Sequence, residues 1–141
     1  NAIGNITSKA VDGKTFNYYY SAGHKHAVSG ITYNGTTYSY TYDTNGNMTY
    51  GPDFTNLASI QARTITWNAD NMPTHISHSS NISTQLTYGG AGERVKKRVY
   101  SDGIVTDTFY IGDHFEVKGG ETMKYWIYQL KNPPCPGCWF Q

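Results

Sequence analysis

The stretch Tyr38-Ser-Tyr-Thr-Tyr-Asp-Thr-Asn-Gly-Asn-Met-Thr-Tyr50 leaves a chain little choice of structure. Tyrosines at 38, 40 and 42 alternate with small hydroxyl residues, a period of two that places rings on one face of a strand and Ser or Thr on the other. Asn45-Gly46 interrupts the alternation, and Met48 and Tyr50 resume it. The stretch therefore predicts a β-hairpin, with Asn45-Gly46 as a tight two-residue turn whose residues take positive backbone angles.

Laying Gly46 over other turn residues finds further copies of the unit. Asn1-Ala-Ile-Gly4-Asn5-Ile6-Thr7 matches without a leading aromatic residue, and Trp67-Asn68-Ala-Asp-Asn71-Met-Pro-Thr74 matches with tryptophan for tyrosine. Tyr88-Gly-Gly-Ala-Gly92-Glu-Arg94-Val95 matches more loosely, and shorter echoes sit at Tyr20-Ser-Ala-Gly23 and Tyr110-Ile-Gly112-Asp113. The turn positions 4, 23, 46, 71, 92 and 112 recur roughly every twenty residues, the mark of a repeat architecture. One such hairpin cannot bury its own aromatic face, so neighbouring units must cover it. Stacked edge to edge, the hairpins are expected to form one long continuous sheet that right-handed strand twist curls into a coil.

The Tyr42-Asp43-x-x-Gly46-Asn47-x-Thr49 pattern resembles the YD repeat of the bacterial Rhs proteins, the wall-associated proteins of Gram-positive bacteria, the toxin-complex C components and the animal teneurins. The resemblance covers about residues 1–128 and implies that the coiled sheet is part of the wall of a hollow shell or tube, in some members one enclosing a toxin domain. It implies a bacterial protein, extracellular or at the cell surface, whose partners are the rest of a larger shell or copies of itself. Asn1 falls where Asp43 falls in the best copy, so the sequence reads as a piece of a longer parent. The Asp-Pro-x-Gly self-cleavage motif and variable toxin domain that often end the core of Rhs-type proteins are absent from this sequence.

The rest of the chain agrees with an all-β protein of tandem hairpins. Lys14–Tyr20 is β-branched and aromatic between Asp12-Gly13 and Ala22-Gly23, and Asn34-Gly35 is a second hairpin signal between Ile31-Thr-Tyr33 and Thr37–Tyr42. Gly51-Pro52 reads as a turn and Asn56–Ala62 as a loop. Strands follow at Thr64–Trp67, Thr84–Tyr88, Arg94–Tyr100, Val105–Ile111, Phe115–Lys118 and Met123–Tyr128, with a polar hairpin tip over Ser77–Ser83. Residues 1–128 are thus expected to form the repeat segment. Residues 129–141 form a tail outside it, because Pro133-Pro134-Cys135-Pro136 cannot continue a sheet ladder.

The residues that carry the repeat are Tyr42, Asp43, Gly46 and Asn47, with Gly4, Asn5, Trp67, Asn71, Tyr88 and Gly92 in the other copies. Their chemistry is that of turns and stacking, since Gly tolerates the left-handed backbone, Asp caps a turn and Tyr packs on the next rung. No Ser-His-Asp order, carboxylate pair, phosphate-binding loop or dinucleotide fingerprint is present, so the chain is expected not to be an enzyme. His24 and His26 would share a face if they lay on a strand, but no nearby carboxylate or thiol completes a metal site, and neither metal nor cofactor is expected. Cys135-Pro-Gly-Cys138 lacks the helix N-terminus of a redox site and the following His of a haem attachment. It is half a zinc site at most, and a local disulfide or two free thiols is the plainer reading. Arg94, Lys96 and Arg98 are expected to form one basic strand face paired with Asp113, Glu116 and Glu121 of the adjoining hairpin.

Among 141 residues there are 13 tyrosines and 15 glycines, charged residues make up 15%, and the net charge is +1, a balance with no nucleic-acid signal. No apolar run is long enough for a membrane-spanning helix. Sequons begin at Asn5, Asn34, Asn47 and Asn81 and matter only if the parent meets a glycosylation system. An alternative role uses the same tyrosines as flat platforms for carbohydrate, in an extracellular recognition module.

Overall fold

The computed structural model describes residues 2–78, 81–112, 115–119 and, as backbone, 121–124. Within them the chain is an antiparallel meander of thirteen strands: β1 (Ser8–Val11), β2 (Lys14–Tyr20), β3 (Val28–Tyr33), β4 (Thr36–Ser39), β5 (Thr41–Tyr42), β6 (Met48–Asp53), β7 (Gln61–Trp67), β8 (Pro73–Ser77), β9 (Ile82–Tyr88), β10 (Arg94–Ser101), β11 (Ile104–Ile111), β12 (Phe115–Lys118) and β13 (Glu121–Lys124). Each strand pairs with its sequence neighbour, and no helix occurs among the described residues. The all-β class expected from the tyrosine alternation is therefore the class observed. Tyr125–Tyr128 and the tail with Cys135 and Cys138 lie outside the described residues.

The expected single sheet is instead two, of four strands (β1 to β4) and nine (β5 to β13). The division falls at Tyr40. Its N–H still bonds the Ser29 carbonyl at 3.0 Å, but one residue later the same strand has changed partner from β3 to β6. A Cβ on Gly51 would stand 2.6 Å from Cδ1 of the Tyr40 ring, so glycine there gives the ring room to lie against β6. Gly51-Pro52, expected as a turn, is buried strand within β6. Pro52 lies beyond the last pairing with β5, on a stretch of β6 that pairs with β7, so its missing N–H takes no bond from a β5 ladder.

Two kinds of turn recur along the meander. Asp12-Gly13, Asn34-Gly35 and Asp102-Gly103 are two-residue turns with both residues at positive φ (48° and 72°, 48° and 76°, 49° and 82°). Their right-handed twist matches that of the strands. Asn45-Gly46 does not form such a turn. Only Gly46 is left-handed, at φ 87°, and the loop is closed by Asp43 N–H donating to the Asn47 carbonyl at 2.9 Å. Because the strands alternate in direction, the loops at residues 21–27, 43–47, 68–72 and 89–93 sit on one rim of the sheet, and the two-residue turns on the other, together with the connections from β6 to β7 and from β8 to β9.

Little of the described part of the chain is a closed core. Ile31 is the one buried large hydrophobic side chain among the described residues, set between Tyr18 and Tyr38 in the pairing of β2, β3 and β4. On the same face Phe16 and Tyr33 stack at 4.8 Å, and Phe54, from the loop after β6, packs edge-on against Phe16 at 5.6 Å and Tyr38 at 5.4 Å. In the larger sheet this face continues as the row Ile65, Ile76, Thr84, Val99, Thr106, with Thr84 and Thr108 buried. The opposite face carries hydroxyl ladders, Thr32 to Thr37 at 2.7 Å and Thr41 to Thr49 at 2.9 Å.

Candidate functional site at the turn rim

The wide loops share one construction. Asp43 Oδ1 accepts from the N–H groups of Asn45 (2.9 Å) and Asn47 (2.8 Å), and Gly46 N–H donates to the Asp43 carbonyl at 3.1 Å. At Trp67 the same positions repeat. Asn68 Oδ1 accepts from Asp70 and Met72 N–H (3.0 and 2.9 Å), Asn68 N–H donates to the Met72 carbonyl, and Asn71 takes the left-handed place of Gly46 at φ 58°. At Tyr88 the residue in the Asp43 position is Gly89, which has no acceptor. Glu93 supplies one from the far side of the loop, its Oε2 accepting from Ala91 N–H at 3.1 Å, while Gly92 is left-handed at φ 84°. In all three the strand ladder slips by one residue just past the loop, so that Tyr42 faces Met48, Trp67 faces Pro73 and Tyr88 faces Arg94. Such bulges bend and twist the strands that carry them.

The aromatic residue at the start of each loop reaches into the previous repeat. Tyr42 Oη donates to the Val28 carbonyl at 2.8 Å, Trp67 Nε1 to Met48 at 2.9 Å and Tyr88 Oη to Pro73 at 2.9 Å. Tyr20 Oη does the same to Ile6 at 2.8 Å, which makes the weak copy at Tyr20-Ser-Ala-Gly23 a full member of the series. In the series from Tyr42 to Tyr88 the acceptor is the residue that faces the preceding aromatic side chain across its bulge or register shift. The Tyr110 ring continues the series differently, lying under the Arg94 guanidinium at 4.3 Å. Burial pushes the Tyr40 and Tyr42 phenols up from their ordinary values.

A second set of bonds joins the loops themselves. Asn47 Nδ2 spans Asp43 Oδ2 (3.0 Å) in its own loop and Asn71 Oδ1 (2.7 Å) in the next, and Asn45 Nδ2 also donates to Asn71 Oδ1 at 3.0 Å. Asn5, at the matching place after Gly4 (φ 82°), bonds the Lys25 carbonyl at 2.5 Å and His26 Nδ1 at 2.9 Å. Met72 stands in the Asn47 position of the loop after Trp67 and makes an apolar approach to Gly92, its Sδ 3.8 Å from where a Cβ there would lie. Partial desolvation pushes the Asp43 carboxyl up, but hydrogen bonds from the Asn47 side chain and from the Asn47 and Asn45 backbone outweigh it and hold the carboxyl below its ordinary value.

Several expected arrangements are otherwise. Gly23 is not left-handed, because the second loop, residues 21–27, is longer and is closed by Ala27 N–H to the His24 carbonyl at 3.1 Å. His24 and His26 belong to that loop and not to a strand; the His24 ring lies 6.0 Å from Tyr42, and His26 faces Asn5. Arg94, Lys96 and Arg98 do not share a face, since the bulge at Val95 turns Arg94 toward Tyr110. The acid that Lys96 and Arg98 meet is Asp107 of β11, at 3.1 Å from Lys96 Nζ and in a two-bond fork with Arg98 at 2.6 and 2.7 Å. That fork holds the Asp107 carboxyl well below the usual carboxylate range. Glu116 lies on the opposite face beside Tyr110, while Asp113 and the Glu121 side chain lie outside the described residues.

Groups capable of proton transfer are few and scattered. His78 Nδ1 stands 3.6 Å from Asp53 Oδ2 beside a shallow groove that Ser59 and Thr55 also line. Among the described residues no three His, Cys, Asp or Glu side chains gather as a metal site, and no helix is long and apolar enough to cross a membrane. No family model matches the chain, and no curated protein matches it.

Proposed function

We propose that this chain is a non-catalytic structural element: a length of β-sheet wall made of YD-type hairpins, of the kind that encloses a toxin in Rhs-type proteins, acting with the rest of a larger shell or with copies of itself. The observation that carries the reading is the series Tyr20, Tyr42, Trp67, Tyr88, in which each repeat donates a side-chain hydrogen bond to the backbone of the one before. Each such bond contributes about 1 kcal/mol and fixes the offset between hairpins, a role that needs no substrate. The thin core among the described residues fits a segment stabilised by neighbours beyond it. The resemblance to the YD repeat also favours a bacterial protein that works outside the cell or at its surface.

Sedimentation of the chain over a wide concentration range tests the proposal. Growth into particles many times 15.7 kDa is the expected result. A folded species that stays at 15.7 kDa at every concentration overturns it.

A further inference from the structure

β1 is a strand without a buried side chain. All four of its residues are exposed, and it is held to the molecule by its ladder with β2, which runs unbroken from Ser8 opposite Asn17 to Val11 opposite Lys14. Protein edges are ordinarily blunted by shortness, charged side chains, proline or a bulge. β1 is short and carries Lys9, but it has neither proline nor bulge. Its polar backbone also has a definite orientation. Tyr18 N–H donates to the Thr7 carbonyl at 2.9 Å, so Thr7, Lys9 and Val11 are the residues whose backbone groups turn toward β2. By the alternation of an antiparallel ladder, the N–H and C=O groups of Ser8 and Ala10 turn away, toward the side of β1 on which no strand pairs among the described residues.

The far edge among the described residues, β13, matches it. Because β4 and β5 share one bent rung, thirteen strands make an even number of rungs, and β13 runs opposite to β1. A second copy simply moved along the sheet therefore presents its β1 antiparallel to β13, with the wide loops on the same rim and the tyrosine face on the same side. An odd number of rungs would have brought the two strands together parallel. Exposed apolar side chains lie near both ends, Ile3, Ile6 and Val11 at one and Phe109, Ile111 and Phe115 at the other, as they also do elsewhere on the sheet. We infer that β1 is the docking edge for β13 of a second copy of this chain, the contact that would extend the wall; the inference rests on the wall reading above. The contact is head-to-tail, so repetition gives a ring or an open filament according to whether the rotation closes.

Two measurements on the full chain decide it. Ala10→Pro removes an outward N–H and places a ring in the path of an incoming strand while leaving the Lys9 and Val11 bonds to β2 in place; association should then require at least about ten-fold more protein. A photoreactive benzoyl-phenylalanine in place of Lys9, with heavy and light chains mixed, should capture residues 121–124 of another copy, a readout that does not depend on how well the proline variant folds. Undiminished association of a folded Ala10→Pro variant, or capture only within the same copy or at other residues, overturns the edge pairing while leaving the wall reading intact. If the unmodified chain never associates, the wall reading itself fails.

Discussion

The carboxylate of Glu93 lies where a side chain on Gly89 would begin, its Oε1 2.1 Å from the position of a Cβ there. In the Asp43 loop the acceptor that organises the turn hangs from the first residue; in the Gly89 loop it comes from the last and occupies the vacated space. Gly89→Ala should displace Glu93 from Ala91 N–H and cost about 1 kcal/mol. Glu93→Ala should cost a similar amount, and the double variant scarcely more than either alone. A double-mutant cycle by urea unfolding checks this, and additive losses would show that the two residues do not share the space.

The aromatic donors offer a cleaner case because Trp67 and Tyr88 bond carbonyls in different repeats. Trp67→Phe and Tyr88→Phe should each lower stability by about 1 kcal/mol, with losses that add and an unchanged denaturant slope. A loss below the resolution of the measurement at both positions would mean that the series from repeat to repeat is geometric and not energetic.

Gly51→Ala puts a methyl group against the edge of the Tyr40 ring, with atoms at 2.6 and 2.8 Å that belong to a half-buried side chain with little freedom to move. The expected loss is about 1–3 kcal/mol, the range for an overpacked site. Combining it with Tyr40→Ala should recover part of the loss, read from the thermal midpoint of the double variant against Tyr40→Ala alone.

Acid should loosen the protein through three carboxylates. Hydrogen bonding from Thr55 lowers Asp53, the Asn47 and Asn45 bonds outweigh desolvation to lower Asp43, and Arg98 lowers Asp107. A carboxyl whose folded pKa is depressed adds stability above its unfolded value, near 4, and that stability is lost as pH falls below it. Unfolding free energy should therefore be level from neutral pH down to about 5 and decline below about 4. Asp107→Asn should flatten the decline. A stability that rises on acidification would contradict the assignment.

The strands were legible because alternation survives any tertiary context that keeps one face drier than the other, as Tyr38, Tyr40 and Tyr42 do. The loops were less so. Asn45-Gly46 carries the strongest local signal for a tight turn, yet Asp43 overrides it by offering its carboxylate to two backbone donors and opening the loop to five residues. Gly51-Pro52 looked like a turn because a dipeptide does not reveal that a neighbouring strand has departed, and the face of Arg94 depended on a bulge that spacing cannot show. The link between repeats was visible only as a recurring aromatic position. That Tyr20 belongs to the series follows from its bond to Ile6, since its loop had lost the spacing and the left-handed glycine.

The placement of the loops after Tyr20, Tyr42, Trp67 and Tyr88 on one rim gives the molecule a spine on one side and free teeth on the other. Along the spine, Asn5, Asn45 and Asn47 each answer to a residue in the neighbouring loop, so a change of length there disturbs two repeats at once. At the opposite rim Asn34-Gly35 and Asp102-Gly103 merely reverse the chain at exposed positions. Extra sequence grafted at Asn34-Gly35 would hang clear of the stack, which makes that rim the place where such a wall can acquire new surface without losing its pitch.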